Sequence, residues 1–275
     1  MAEMVPVEFW EWAIPQVKQE YPNIIFIAEV YNPHEYKNYL FRGKFDFLYD
    51  KVGLYDTLRN VACGYDSATA ITRSWQSLGG IEKRMLNFLE NHDEQRIASD
   101  FFAGDPRKGV PALIVSACMN TNPMMIYFGQ EFGEMGMDSE GFSGRDGRTT
   151  IFDYWSVDTI RRWRNEGKFD GKMLTEEQKH LYAIYQRVLT LCNEEQAISN
   201  GVFNPFPPSF FLPLCSITFR RPGRNGQNGK SPGAFAAPGA GSGLNADRDG
   251  DRTAAPGRSS SRCRRRRWAR YRCRN

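Results

Sequence analysis

Ile24-Ile25-Phe26-Ile27-Ala28 is a continuous apolar run, and Glu29 follows it directly. Its length and its branched side chains predict a strand buried on both faces. Before it, Trp10, Ala13, Ile14 and Val17 share one face of a helix over residues 7–20, as an amphipathic helix requires. Pro15 is expected to kink that helix, and Tyr21-Pro22-Asn23 ends it.

After Glu29 the same alternation repeats. Short strand-like runs occur at residues 45–49, 85–89 and 124–128. Helical stretches cover 51–62, 66–77, 106–119, 156–166 and 175–195. Strands alternating with helices predict an α/β fold with a parallel sheet. Each apolar run ends in polar residues. Glu29 follows the first, Asp50 the second, Asn91-His92-Asp93 the third and Gln130-Glu131 the fourth. In parallel α/β barrels the catalytic groups stand at the C-terminal ends of the strands, so these positions are the candidates for chemistry.

Two carboxylates lead. A carboxylate at a strand end in a partly apolar cleft has its protonated form favoured by desolvation, which suits Glu29 to a general acid. The competing reading is an exposed loop glutamate that opens the next helix. His92 and Asp93 put an imidazole and a carboxylate side by side, a pair suited to binding hydroxyls and stabilising positive charge. There the competing reading is a helix N-cap aspartate beside a core histidine. Tyr31, Phe142 and Trp155 are aromatics in or near the predicted mouth loops, where they either stack on sugar faces or pack the loops. Arg96, three residues past Asp93, either orients a carboxylate or makes a surface ion pair. His34 and His180 read as helix-surface or capping residues. Gly129, Gly133, Gly136, Gly141 and Gly144 lack the pattern of a phosphate-binding loop.

Taken together, these segments resemble the α-amylase family, glycoside hydrolase family 13. Phe26-Ile27-Ala28-Glu29 is similar to its third conserved region, and residues 88–93 to its fourth. Residues 127–133 resemble its eighth-strand segment, and residues 146–155 the loop beyond. The resemblance covers residues 1–211, in order and spacing as well as in motif.

The resemblance implies retaining cleavage of α-glucosidic bonds of starch-like glucans, by an aspartate nucleophile, a glutamate acid/base and a second, stabilising aspartate. It assigns Glu29 as the acid/base and Asp93 as the stabiliser. His92, Tyr31, Arg96 and Trp155 are the candidate substrate-binding residues, and the partner is an α-glucan or malto-oligosaccharide. The nucleophile is expected immediately before Met1, since Met1-Ala2-Glu3-Met4 resembles the family's segment just after that aspartate. Glu3 instead reads as a first-turn acid facing a helix dipole. The fold implied is a partial (β/α)8 barrel, from about the fourth helix to the eighth, followed by a tail. Residues 1–195 are then the C-terminal half of a catalytic barrel and 196–211 the start of a C-terminal β-domain. No cofactor or metal site is expected, because the inserted domain that often helps the family hold calcium has no counterpart in the sequence.

Charge separates the tail from this body. Residues 1–211 carry 21 Lys+Arg and 29 Asp+Glu, whereas 212–275 carry 15 and 3, so the chain's net +4 is an acidic body with a basic tail. The tail holds 14 Arg but one Lys, and Gly and Pro interrupt any period. It reads as disordered, and its GC-rich-codon composition suggests a frame-shifted or aberrant reading of the gene. Nucleic-acid binding through Arg264–Arg267, interleaved with Trp268 and Tyr271, is a further alternative. So is a non-catalytic, glucan-binding member of the same fold. The six cysteines show neither zinc-site nor disulfide spacing. The longest apolar stretch, near residues 110–119, is too short to span a bilayer, and the N-terminus lacks a basic signal-peptide region.

Overall fold

Four strands make a parallel sheet in chain order: β1 (Ile27–Ala28), β2 (Phe47–Tyr49), β3 (Met85–Phe88) and β4 (Met124–Met125). The structure, a computed structural model, describes residues 1–119, 121–137, 145–150, 157–205 and 217–220, all within the unit Met1–Asn225. Helix α1 (Val7–Glu20) precedes β1. Between β2 and β3 come a π-helical turn (Lys51–Tyr55), α2 (Asp56–Ala62) and α3 (Thr69–Ser77). Helix α4 (Val110–Cys118) leads to β4, and α5 (Asp158–Arg164) and α6 (Glu176–Glu194) come after it. The expected alternation of strand and helix is therefore present. No described helix is long and apolar enough to cross a membrane.

Local chemistry explains the boundaries. Helix α6 starts at a capping box, in which Thr175 Oγ1 accepts from the Gln178 N–H at 3.2 Å and Gln178 Oε1 accepts from the Thr175 N–H at 2.9 Å. Helix α1 is continuous through Pro15.

Two expectations need correction. The run Ile24–Ala28 is not a strand buried on both faces. Only its last two residues pair, while Ile24, Ile25 and Ile27 are 40%, 60% and 46% exposed. The reason is position. Strand β1 is an edge of the sheet, and among the described residues no strand lies beyond it. Hydrophobicity reported the core-facing residues but not what would cover the opposite face. The second correction concerns the tail. After a short helix α7 (Gln196–Ser199), strand β5 (Val202–Pro205) pairs antiparallel with β6 (Ile217–Arg220). Disorder from residue 212 onward therefore does not hold at Ile217–Arg220, where Ile-Thr-Phe is a locally strand-favouring triplet. The remaining tail residues, with Cys215, Cys263 and Cys273, lie outside the described ones.

At the end of β2, Asp50 is buried, and its Oδ1 accepts the Leu54 N–H at 2.8 Å. It caps the π-helical turn rather than facing the mouth. Burial pushes its carboxyl up to about 6, against the opposing pull of the Leu54 and Gly53 N–H groups. The folded chain thus holds this proton more tightly than the unfolded chain. The stabilisation is complete below the ordinary carboxylate value of 3.8 and is lost as pH rises through about 6. Urea midpoints taken from pH 4 to 7 should show this group's contribution falling by on the order of 3 kcal/mol. Asp50→Asn, which keeps the acceptor, should flatten that part of the profile. An unchanged slope in the variant would exclude Asp50 as its source.

Candidate active site

A parallel sheet brings the C-terminal ends of all its strands to one side, so Glu29 and the Asn91–Asp93 segment open onto the same mouth. Glu29 side-chain exposure is 16%. Its Oε1 accepts the Tyr31 hydroxyl at 2.7 Å, and its Oε2 lies 3.5 Å from the Met1 ammonium. Its backbone carbonyl accepts the Ala2 N–H at 2.9 Å. It does not open a helix. The next turn, Pro33–Glu35, is capped by Asn32, whose Oδ1 accepts the His34 N–H.

Asn91 shapes the second segment. It is buried, and its Oδ1 accepts the N–H groups of both Asp93 and Glu94 at 2.9 Å. This Asx turn leaves His92 and Asp93 in contact with solvent at 38% and 44% side-chain exposure, with Nε2 and Oδ2 3.4 Å apart. Turns rather than a helix come next, so Asp93 is no N-cap.

Two tyrosines join the carboxylates. The Tyr31 hydroxyl is pushed far up, first by burial, then by its hydrogen bond to Glu29, then by the charges of Glu29, Asp93 and Glu94. The Tyr49 hydroxyl is also raised, by burial and then by Glu29 and Asp93. Both phenols therefore stay protonated donors in the field of both carboxylates. Tyr49 was not among the sequence candidates. The available signal was alternation: Ile27 pairs with Phe47, so Tyr49, two residues on, shares its face.

Several expected residues take other places. Arg96 is fully buried and, as one of its two readings had it, holds a carboxylate, that of Glu90, rather than making a surface ion pair. Its Nη1 donates to Glu90 Oε2 at 2.8 Å, its Nη2 to the Phe128 carbonyl at 2.9 Å and its Nε to Thr149 Oγ1 at 3.2 Å. Its guanidinium lies 4.4 Å from the Tyr127 ring centre. The charge points inward because Glu90, six residues back and equally buried, supplies the countercharge. Glu3 precedes α1 and does not face its dipole. Its carboxylate accepts the Tyr31 and Asn32 N–H groups at 3.2 and 3.1 Å, pinning the loop after β1. Glu94, also missed, is held by Lys51 at 3.1 Å, Tyr55 at 3.0 Å and Arg59 at 3.6 Å.

Gln130, after β4, donates through Nε2 to the Tyr185 hydroxyl and is buried. Gly129 and Gly133 bracket its turn at φ of +86° and +71°, values that favour glycine. His34 and His180 are exposed. Phe142 and Trp155 lie outside the described residues. Among the described residues, no group of three or more His, Cys, Asp or Glu is placed to hold a metal ion.

Comparison with known proteins bears on this arrangement. The family model of the α-amylase catalytic domain matches residues 5–201. No curated protein sequence matches significantly. A solved cyclomaltodextrinase shares 22% identity at a TM-score of 0.54, over 75% of this chain and 32% of its own. The α-amylase from H. orenii shares 19% at 0.54, over 80% and 45%. AmyP in complex with maltose shares 17% at 0.53, over 74% and 47%. At these identities the likeness speaks for the fold. The chain spans about a third to a half of the length of these structures.

Proposed function

The chain belongs to the α-amylase family of glycoside hydrolases, and we propose that it forms part of a (β/α)8 barrel acting on α-glucosidic bonds of starch-like glucans. In this reading residues 1–195 supply the later βα units of the barrel, and 196–211 open a C-terminal β-domain. Glu29 is the acid/base. Tyr31, donating to its Oε1, fixes the carboxyl orientation, and proton transfer to the leaving glycosidic oxygen falls to Oε2, which must part from the Met1 ammonium 3.5 Å away. Asp93 stabilises the positive charge that develops on the sugar ring, and His92 binds hydroxyls beside the scissile bond. The maltose bound to AmyP supports a malto-oligosaccharide as ligand.

The observation that supports this reading is that Glu29, hydrogen-bonded to Tyr31, and Asp93, on the Asn91 turn, follow the ends of two strands of one parallel sheet. That is how an acid/base and a stabiliser sharing one sugar site should stand. A calorimetric titration with maltoheptaose tests it. Binding should be measurable and should weaken at least tenfold, on the order of 1.4 kcal/mol, in Asp93→Ala and in His92→Ala. Binding that is absent, or indifferent to both changes, would sink the assignment.

A further inference from the structure

The parallel sheet has a second end, opposite the mouth, and basic side chains gather there. Lys44 and Asp46 stand just before β2, Arg84 just before β3, and Lys18 and Gln19 in the last turn of α1. These five residues line one open cleft of about 500 Å³, a volume typical of small-ligand sites.

The charges in the cleft do not cancel. Among the described residues Asp46 is the one acid lining it, and that carboxylate is already satisfied. Its Oδ1 and Oδ2 accept the Lys18 ammonium at 2.7 and 2.8 Å, and Oδ2 also accepts the Phe26 N–H at 2.8 Å. Lys44 and Arg84 remain. Arg84 donates through Nε to the Asp46 carbonyl at 2.7 Å and through Nη2 to the Phe45 carbonyl at 2.8 Å. These neutral acceptors fix the guanidinium without giving it a carboxylate of its own, and among the described residues its Nη1 has no partner. Lys44 is exposed and pairs with no carboxylate among the described residues.

Lys44 is also held in a conformation that a lysine resists. Its φ is +65°, in the left-handed region where a Cβ crowds the backbone. Gly43 beside it sits at φ −67°, so the residue suited to that region does not occupy it. Gly43 is needed for another reason: a Cβ there would lie 2.7 Å from the Tyr39 carbonyl oxygen. Strained backbone of this kind gathers at functional sites, and here it belongs to a cation that lines a cleft.

We propose that this cleft binds a doubly charged oxyanion, a phosphate or a phosphate monoester. Two cations without carboxylate partners match a dianion in charge. They come from separate segments, and with Nε and Nη2 of Arg84 on carbonyls, each contributes single-point donors. Such donors suit a tetrahedral oxyanion, which accepts from several directions, better than a planar carboxylate, which is gripped best by a free guanidinium fork. The site lies at the opposite strand ends from Glu29 and Asp93 and does not depend on the glucan reading.

Calorimetric titration of the full chain with sodium phosphate, and separately with glucose 6-phosphate, tests the proposal. It is run at two temperatures, at constant ionic strength in chloride, and at about pH 7.5, where a phosphate monoester is doubly charged. Both anions should bind saturably, one per chain. Lys44→Asn removes the charge and keeps a residue that tolerates a positive φ, so affinity should fall at least tenfold with the circular dichroism unchanged. Lys172→Gln, at an exposed cation that does not line the cleft, should leave affinity unchanged. Tighter binding of glucose 6-phosphate would identify the monoester as the ligand, and equal binding the free anion. No saturable binding of either anion, undiminished affinity in Lys44→Asn, or an equal loss in Lys172→Gln would overturn the site.

Discussion

Arg96→Met lowers the stability of the folded chain by about 3–5 kcal/mol, the usual cost of breaking a buried ion pair by removing one partner. Denaturation in urea at pH 7 measures it. The size comes from the group left behind. Glu90 is buried with Arg96, and burial already raises its carboxyl above the ordinary range, with the Arg96 charge as the main opposing influence. Without that charge only the Ile97 N–H, donating at 2.7 Å, still supports the carboxylate. Glu90 then takes up a proton in the folded state. Its folded pKa lies further above the unfolded one, so the variant gains stability as pH falls toward 4 and loses it as pH rises.

The double change Glu90→Gln with Arg96→Met should recover most of the loss, because paired replacement of a buried ion pair is often close to neutral. A double variant as unstable as the single one would show that the Phe128 and Thr149 contacts, not the ion pair, carry the energy. With a total stability of about 5–15 kcal/mol for a typical domain, the single variant is near unfolding. Arg96 also ties three segments together, since its backbone N–H reaches the Gly147 carbonyl at 2.6 Å while its side chain holds Glu90 and the end of β4.

Glu90 shows where the sequence was legible and where it stopped. The alternation of apolar runs with polar ends was readable, because a strand between helix layers is apolar and its C-terminal loop is not. That placed Glu29, His92 and Asp93 at one mouth. Glu90 lies inside the same family-like segment as His92 and Asp93, yet its partner is six residues on, a separation with no helix or strand period to reveal it. Only the turn after Asp93 folds Arg96 back. Exposure on β1 was illegible for another reason: Ile25 and Ile27 are hydrophobic whether or not anything covers them. The strand at Ile217–Arg220 was lost by averaging, since composition over 64 residues hides four. Tyr49 was within reach, two residues from a strand-paired Phe47, but only once a register was known.

With nitrophenyl maltoside at saturation, the chain should release nitrophenol no faster than buffer. Retaining cleavage of an α-glucosidic bond needs a carboxylate nucleophile in addition to an acid/base and a stabiliser. In the proposed reading Glu29 and Asp93 fill two of these roles. Two further acids near the mouth are engaged: Glu3 with two backbone N–H groups, and Glu94 with Lys51, Tyr55 and Arg59. Freeing either one breaks contacts that hold the loops in place. Losing the nucleophile from a catalytic unit costs on the order of 10⁴–10⁶ in rate, which places turnover below detection. Under the same proposal glucan binding should survive, because His92, Asp93 and the phenols do not depend on a nucleophile. Measurable release that disappears in Glu29→Gln would overturn this, and would mean that Glu3 or Glu94 leaves its partners to attack the sugar. Release that persists in Glu29→Gln would point instead to a contaminating glycosidase, which a second purification step would remove.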